Sequence, residues 1–206
     1  MALISVSNNA LSNISALPAS IPTGALTLIK SITASASASI SFVDGTDGVV
    51  LDGTYSSYVF KFINIHPATD NVQLQFQGST NGGSSYGLTI TSTAFYSTHD
   101  EADTETGLGY SSGSDLAQQT IYQNLVSSVG NDADQNVSGS MLLYNPSSTT
   151  YVKHFITNSN SYNSTDYSVE WHNAGYFNTT SAVNAVQFKM SSGNIDDGII
   201  KLYGVS

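Results

Sequence analysis

The feature that most constrains this chain is an alternation of apolar and polar side chains with a period of two. Val72, Leu74 and Phe76 alternate with Gln73, Gln75 and Gln77. Tyr58, Phe60 and Phe62 alternate with Val59, Lys61 and Ile63, and Val186, Phe188 and Met190 share one face near the C-terminus. Only an extended strand puts every second residue on the same side, so these runs predict half-buried β-strands. Turn formers separate them. Asp44-Gly45, Asp47-Gly48 and Asp52-Gly53 punctuate one loop, and Gly82-Gly83 and Ser191-Ser192-Gly193-Asn194 mark two more.

Continued along the chain, the pattern predicts roughly ten strands. Strands are expected from Leu26, over Ser31–Val43, over 58–63 and 72–77, and from Tyr86 to Tyr96. Further strands are expected over 119–126, 137–144, 151–156, from Tyr167 to Trp171, over 186–190 and over 199–203. Residues 64–70 read as a connection and residues 97–114 as a polar loop. Ser114–Val129 also carries helix-like spacings at Leu116, Ile121, Leu125 and Val129, but Thr120-Ile121-Tyr122 and the all-β context favour a strand. Closely spaced short strands are the signature of a sandwich or jelly roll. The expected fold is therefore an all-β, antiparallel, jelly-roll-like β-sandwich over residues 26–206.

An extended N-terminal arm is expected over residues 1–25. Leu3, Ile4, Val6, Leu11, Ile14, Leu17 and Ile21 are spaced irregularly among Ser and Asn, and Pro18 and Pro22 argue against a long helix. Such an arm needs a surface to lie on, its own domain or a neighbour. These seven residues are its expected docking positions.

Composition narrows the functional classes. Of 206 residues only 10% are charged, and 15 acidic against 5 basic residues give a net charge of −10. The five basic residues are all lysines (Lys30, Lys61, Lys153, Lys189 and Lys201) and they are scattered. Phosphate neutralisation needs a Lys/Arg patch, so no nucleic-acid partner is expected. With no cysteine, thiol catalysis and disulfides are excluded. No charged leader region and no apolar run of membrane-spanning length are visible, so no membrane insertion is expected. With 40% hydrophobic residues the chain can build a core.

Three stretches carry a family resemblance. They are Leu28-Ile-Lys-Ser-Ile-Thr-Ala-Ser-Ala-Ser-Ala-Ser-Ile-Ser-Phe42, the run from Tyr58 through His66-Pro67-Ala68-Thr69-Asp70 to Gly82-Gly83-Ser84-Ser85-Tyr86, and the run from Val186 through Asn194-Ile-Asp-Asp-Gly198 to Gly204. A weaker stretch joins Gly130-Asn131, Ser138-Gly139 and Tyr144-Asn-Pro146. Together, over roughly residues 26–204, they resemble a family of tailed-bacteriophage virion proteins. Members occur as small stand-alone structural proteins and as C-terminal domains of fibre-like proteins. The resemblance implies a place on the virion surface after assembly in the host cytoplasm, oligomerisation, and no known chemistry. It supplies no catalytic or ligand residue. The expected partners are further copies, with a trimer favoured, and other virion proteins, to one of which the arm would anchor. Sparse lysines leave few charges to guard sheet edges, which also favours assembly.

Candidate chemical sites are weak. Gly83-Ser84-Ser85-Tyr86-Gly87 matches the G-x-S-x-G pattern, but it leads into a second strand rather than a helix, so no nucleophile elbow is expected. His66, His99, His154 and His172 show no metal-ligand spacing. Asp44, Asp47 and Asp52, the pair Asp132 and Asp134, and Asp196-Asp197 read as turn formers rather than calcium ligands. Glu170 beside Trp171 hints at a sugar platform, yet neighbours in a strand point to opposite faces. No catalytic residue, metal or cofactor is expected. The sequons at Asn13, Asn136, Asn163 and Asn178 are chance-level in a chain this rich in Asn, Ser and Thr. A second expectation is a host-glycan-binding module for adsorption, using Tyr-rich loops such as 162–167. A polysaccharide-degrading tail enzyme is a third, and would need two convergent carboxylates.

Overall fold

The computed structural model describes residues 26–206. The arm, with Leu3, Ile4, Val6, Leu11, Ile14, Leu17 and Ile21, lies outside the described residues. Twelve strands follow in order: β1 (Leu26–Thr33), β2 (Ile40–Val43), β3 (Ser57–Pro67), β4 (Val72–Ser79), β5 (Ile90–Asp100), β6 (Thr106–Tyr110), β7 (Gln123–Val129), β8 (Val137–Tyr144), β9 (Lys153–Tyr162), β10 (Tyr167–Phe177), β11 (Ala185–Met190) and β12 (Ile195–Val205). They form two antiparallel sheets. The large one has eight strands in the order β1-β12-β3-β8-β9-β10-β5-β6, and the small one has four in the order β2-β11-β4-β7.

Alternation fixes which side chains meet between the sheets. Phe60 and Phe62 of β3 project inward from the large sheet, and Phe42, Phe76 and Phe188 project from the small one, all fully or almost fully buried. Phe188 is the hub. Its ring lies edge-on to Phe60 and Phe62 at 5.2 Å each and to Phe42 at 6.3 Å. Phe76 continues the cluster to Phe155 at 4.9 Å and Phe177 at 5.9 Å. Edge-to-face contact sets the positive rim of one ring against the negative face of another.

The expected all-β class holds, and several boundaries move. Ser31–Val43 is not one strand. It divides at Ala34–Ser39, where Ala36 takes a left-handed backbone (φ 47°), and β1 and β2 belong to different sheets. The small Ser and Ala side chains let the chain turn this corner against β12, held by bonds such as Ala34 N–H to the Gly198 carbonyl (2.8 Å). Residues 97–114 are not simply a loop, because β5 runs on to Asp100 and returns as β6. The segment after Gly83 pairs only from Ile90. Residues 114–129 contain no helix, and β7 sits about three residues later than expected. The expected connection at 64–70 begins inside β3, which runs on to Pro67 past left-handed Asn64 (φ 50°). There Gly198 of β12 (φ 115°) meets the Asn64 carbonyl so closely that a Cβ would collide with it.

Two polar residues run against the simple alternation. Gln77 is fully buried, with its amide nitrogen 2.9 to 3.3 Å from the carbonyls of Ile121, Leu88 and Thr120. It pins two loops to the end of β4. Lys153 is also buried, and its ammonium donates to the carbonyls of Tyr151 (2.8 Å) and Thr179 (3.1 Å). Burial pushes its pKa down.

Phe188→Ala removes the ring on which both sheets converge. It should destabilise the fold by about 3–5 kcal/mol, and Phe188→Leu by clearly less. Urea unfolding followed by Trp171 fluorescence measures both.

Candidate functional site

Beyond β8 the large sheet continues through β9, β10, β5 and β6. The small sheet ends at β7, so the last strands of the large sheet overhang it. The overhang ends in the β5–β6 hairpin, which Asp100 closes. Its carboxylate accepts bonds from the Thr104 backbone (2.9 Å), the Thr104 hydroxyl (2.6 Å) and the Glu105 backbone (2.8 Å). The Thr104 hydroxyl, followed by the Glu105 amide, holds the Asp100 carboxyl below its ordinary pKa. The Tyr167 hydroxyl donates to Glu105 at 2.7 Å and ties the hairpin to β10.

Under the overhang lies a cleft of about 400 Å³. On one side stand Tyr96 of β5 and Trp171 of β10, their rings 5.2 Å apart and tilted by 37°. On the other stand Asn124 and Ser127 of β7 and Gln73 of β4. None of the residues lining the cleft carries a formal charge. The inner face of β9 and β10 beside it is unusually polar. Thr157, Ser159, Ser161 and Asn173 are each at most 2% exposed. Asn173 donates to the Leu125 carbonyl (2.9 Å) and the Thr157 hydroxyl (3.0 Å). Ser159 Oγ, Ser161 Oγ, Asn173 Oδ1 and the Trp171 indole Nε1 are buried without a protein partner among the described residues. The cleft thus offers an aromatic wall with neutral amides and hydroxyls opposite it.

The opposite, outward face of the same strands carries a groove of about 680 Å³. Tyr144, His154 and Tyr176 form one wall, and Ile156, Ala174 and Thr93 continue it. Gly175 also lines it, and its missing Cβ lies on the inner side, where a side chain would run into the buried Phe155 ring and the Thr91 carbonyl. His172 stacks on Phe95 beyond the groove at 4.8 Å, and its Nε2 lies 3.2 Å from the Glu170 carboxylate, which accepts.

The structure disperses most residues singled out in the sequence. Ser85 of the G-x-S-x-G match lies in a loop and bonds Asn81 Nδ2 at 2.8 Å, with no helix after it. Asp44 and Asp52 accept the backbone N–H groups of Leu51 (2.8 Å) and Thr54 (2.7 Å), the behaviour of turn formers. Among the described residues no three His, Asp or Glu side chains converge as a metal site would require. Glu170 and Trp171 point to opposite faces, Glu170 toward Asn158 and Trp171 into the cleft. In the 162–167 loop the tyrosines are engaged by carboxylates: the Tyr162 hydroxyl donates to Asp166 at 3.2 Å and Tyr167 to Glu105. Desolvation and then Asp166 push the Tyr162 phenol up to about 12. The cleft itself was not foreseen. Its residues come from β4, β5, β7 and β10 and from the loops after β6 and β9, and in the sequence only the isolated tryptophan and the 162–167 loop, through Asn163, pointed to it.

Compared with known proteins, the chain matches no family model, no curated protein and no solved structure.

Because Asp100 has a depressed pKa, its contribution to the hairpin is complete above the ordinary carboxylate pKa and is lost as pH falls through the lower folded value. The hydrogen-exchange protection of the Gly107–Tyr110 amides, relative to the intrinsic rate at each pH, should therefore fall on acidification below about pH 4. Asp100→Ala should show the lowered protection already at pH 7.

Proposed function

We propose that this chain is a non-enzymatic structural protein of a bacteriophage particle, folded as a jelly roll and displayed on the virion surface as decoration or as a short head or tail fibre. The resemblance of its strand-and-turn stretches to tailed-phage virion proteins supports the location. The order of the strands supports the fold. β1-β12-β3-β8 are consecutive in the large sheet and β2-β11-β4-β7 make up the small one, and the links β1–β2, β2–β3, β3–β4, β7–β8 and β11–β12 each change sheet. Such an order is compatible with an eight-stranded double-sheet jelly roll carrying β9, β10, β5 and β6 as additions to one sheet, and this supports the reading.

The observation that carries the reading is the β6 edge. Thr106-Gly-Leu-Gly-Tyr110 has no charge and no proline, pairs among the described residues only with β5, and leaves Leu108 79% and Tyr110 58% exposed. Monomeric proteins guard such edges with lysines, prolines or bulges. An unguarded edge with apolar side chains suits a chain that meets further copies of itself in a small symmetric oligomer, with a trimer as the expected number. Light scattering on the purified protein should give that oligomer. Leu108→Lys should shift it to monomer with an unchanged far-UV spectrum. Antibody labelling of intact particles should find the protein on their surface, and a monomeric protein absent from particles would refute the reading.

A second reading, a glycan-binding role in adsorption, is favoured by the uncharged Tyr96–Trp171 cleft. Neutral sugars bind through aromatic faces and neutral amide or hydroxyl groups. Trp171 is the only tryptophan, so its fluorescence reports the cleft directly. Titration with host surface polysaccharide should change it saturably. Asn124→Ala should weaken the binding about 3–10-fold, the worth of one hydrogen bond.

A further inference from the structure

The outward face of the small sheet carries a row of side chains set by register. Lys189 of β11 pairs with Gln75 of β4, and Gln75 with Asn124 of β7. Their chain neighbours Phe188, Phe76 and Leu125 are buried in the core, so alternation turns this row outward. Tyr122, just before β7, reaches back across β4, and its hydroxyl donates to Gln187 of β11 at 2.5 Å. Gln187 in turn donates to Ser41 of β2 at 2.9 Å. These bonds fix the phenol ring beside Lys189, whose ammonium lies 4.2 Å from the ring centroid. Together with Leu116 and Ile121 of the preceding loop, Lys189, Gln75, Asn124 and Tyr122 line a pocket of about 330 Å³.

The pocket holds one positive charge and no anion to neutralise it. No carboxylate forms an ion pair with Lys189 among the described residues, and residues 1–25 contain no Asp or Glu. The aromatic face orients the ammonium by attraction to its positive charge. An ammonium has three N–H donors, and the ring does not use them all. Asn124 adds neutral donors beside it. Its Oδ1 accepts from Gln75 Nε2 at 2.7 Å, and its NH2 group has no partner among the described residues. Ile121, 57% exposed, supplies an apolar ledge on the same pocket.

We propose that this pocket binds an acidic sugar, with the sugar's carboxylate on Lys189 and the Asn124 amide and its apolar face against Ile121. One cation with neutral donors matches a singly charged carboxylate. A phosphate dianion is better met by several cations or by the fork of an arginine, which this chain lacks. Neutral amides and an apolar wall match the hydroxyls and the C–H face of a sugar ring. The net charge of −10 repels small anions at long range, so a bare carboxylate gains too little from Lys189 alone. The pocket adjoins the Tyr96–Trp171 cleft and shares Asn124 with it, but Lys189 is no part of that cleft. The two sites therefore stand or fall separately.

Five lysines make the test direct, because lysine labelled with carbon-13 gives five Cε signals. Glucuronate, galacturonate and N-acetylneuraminate are titrated into the full-length protein. At least one of them should shift the Lys189 signal saturably. It should leave Lys61 unmoved, although that ammonium also lies over a ring, 5.7 Å from the centroid of Tyr203. Glucose and acetate at the same concentrations should shift neither. Lys189→Gln should weaken binding of the acid on the order of tenfold, read from the Tyr122 ring signals, and Lys189→Arg should stay within about threefold of the parent. No response to any of the three acids, an equal response to acetate or glucose, or an unchanged affinity in Lys189→Gln would each overturn the proposal. Trp171 fluorescence, which reports the cleft, decides nothing here, so a failure at Lys189 leaves the cleft reading untouched.

Discussion

The rest of the structure depends on the edge-to-face packing of Phe188 with Phe42, Phe60 and Phe62. Two sheets pack about 10 Å apart, and side chains from both must fill that space without voids. Aromatic rings on alternating positions of β2, β3, β4 and β11 do so. The ring contacts add about 0.5–1.5 kcal/mol per pair to the burial itself. With these strands clamped, the register of their neighbours follows, because a slip of one residue would turn every ring out to solvent.

Away from this cluster the same alternation carries different chemistry. On β9 and β10, beyond Phe155 and Phe177, the inward positions hold Thr157, Ser159, Ser161 and Asn173 in place of phenylalanine. A buried hydroxyl or amide costs stability unless it is hydrogen-bonded. Asn173 meets part of that demand through Leu125 and Thr157. The aromatic clamp is strong enough to carry a less apolar extension, and the extension supplies the cleft, the outer groove and the β6 edge. The apolar clamp and the more polar, more exposed features are thus separated along one sheet.

The surface fits this division. Charges concentrate in turns, as at Asp44, Asp52 and Asp100, where the carboxylates satisfy backbone N–H groups. The net charge of −10 reflects the shortage of lysine more than an abundance of acid. One of the few lysines, Lys153, is buried against two carbonyls. Contacts made by the uncharged faces would depend on shape and hydrogen bonding, and so only weakly on salt.

The sequence by itself determined the all-β class, most strands, and the faces of the strongest ones, because period-two alternation is a local property and survives any arrangement of the strands. Val72–Gln77 and Val186–Met190 could be read directly for that reason. It also marked Glu170 and Trp171 as pointing apart. Tertiary structure alone decided that the Ser/Ala run turns a corner at Ala36, since small residues permit both a strand and a bend. It decided that 106–110 pairs as β6, since Gly-Leu-Gly carries little pattern until the Asp100 network folds the chain back. It buried Gln77 and Lys153 by bringing distant carbonyls to them. And it assembled the cleft from four strands and two loops, because that depends on registers between segments far apart in the chain, which no local pattern encodes.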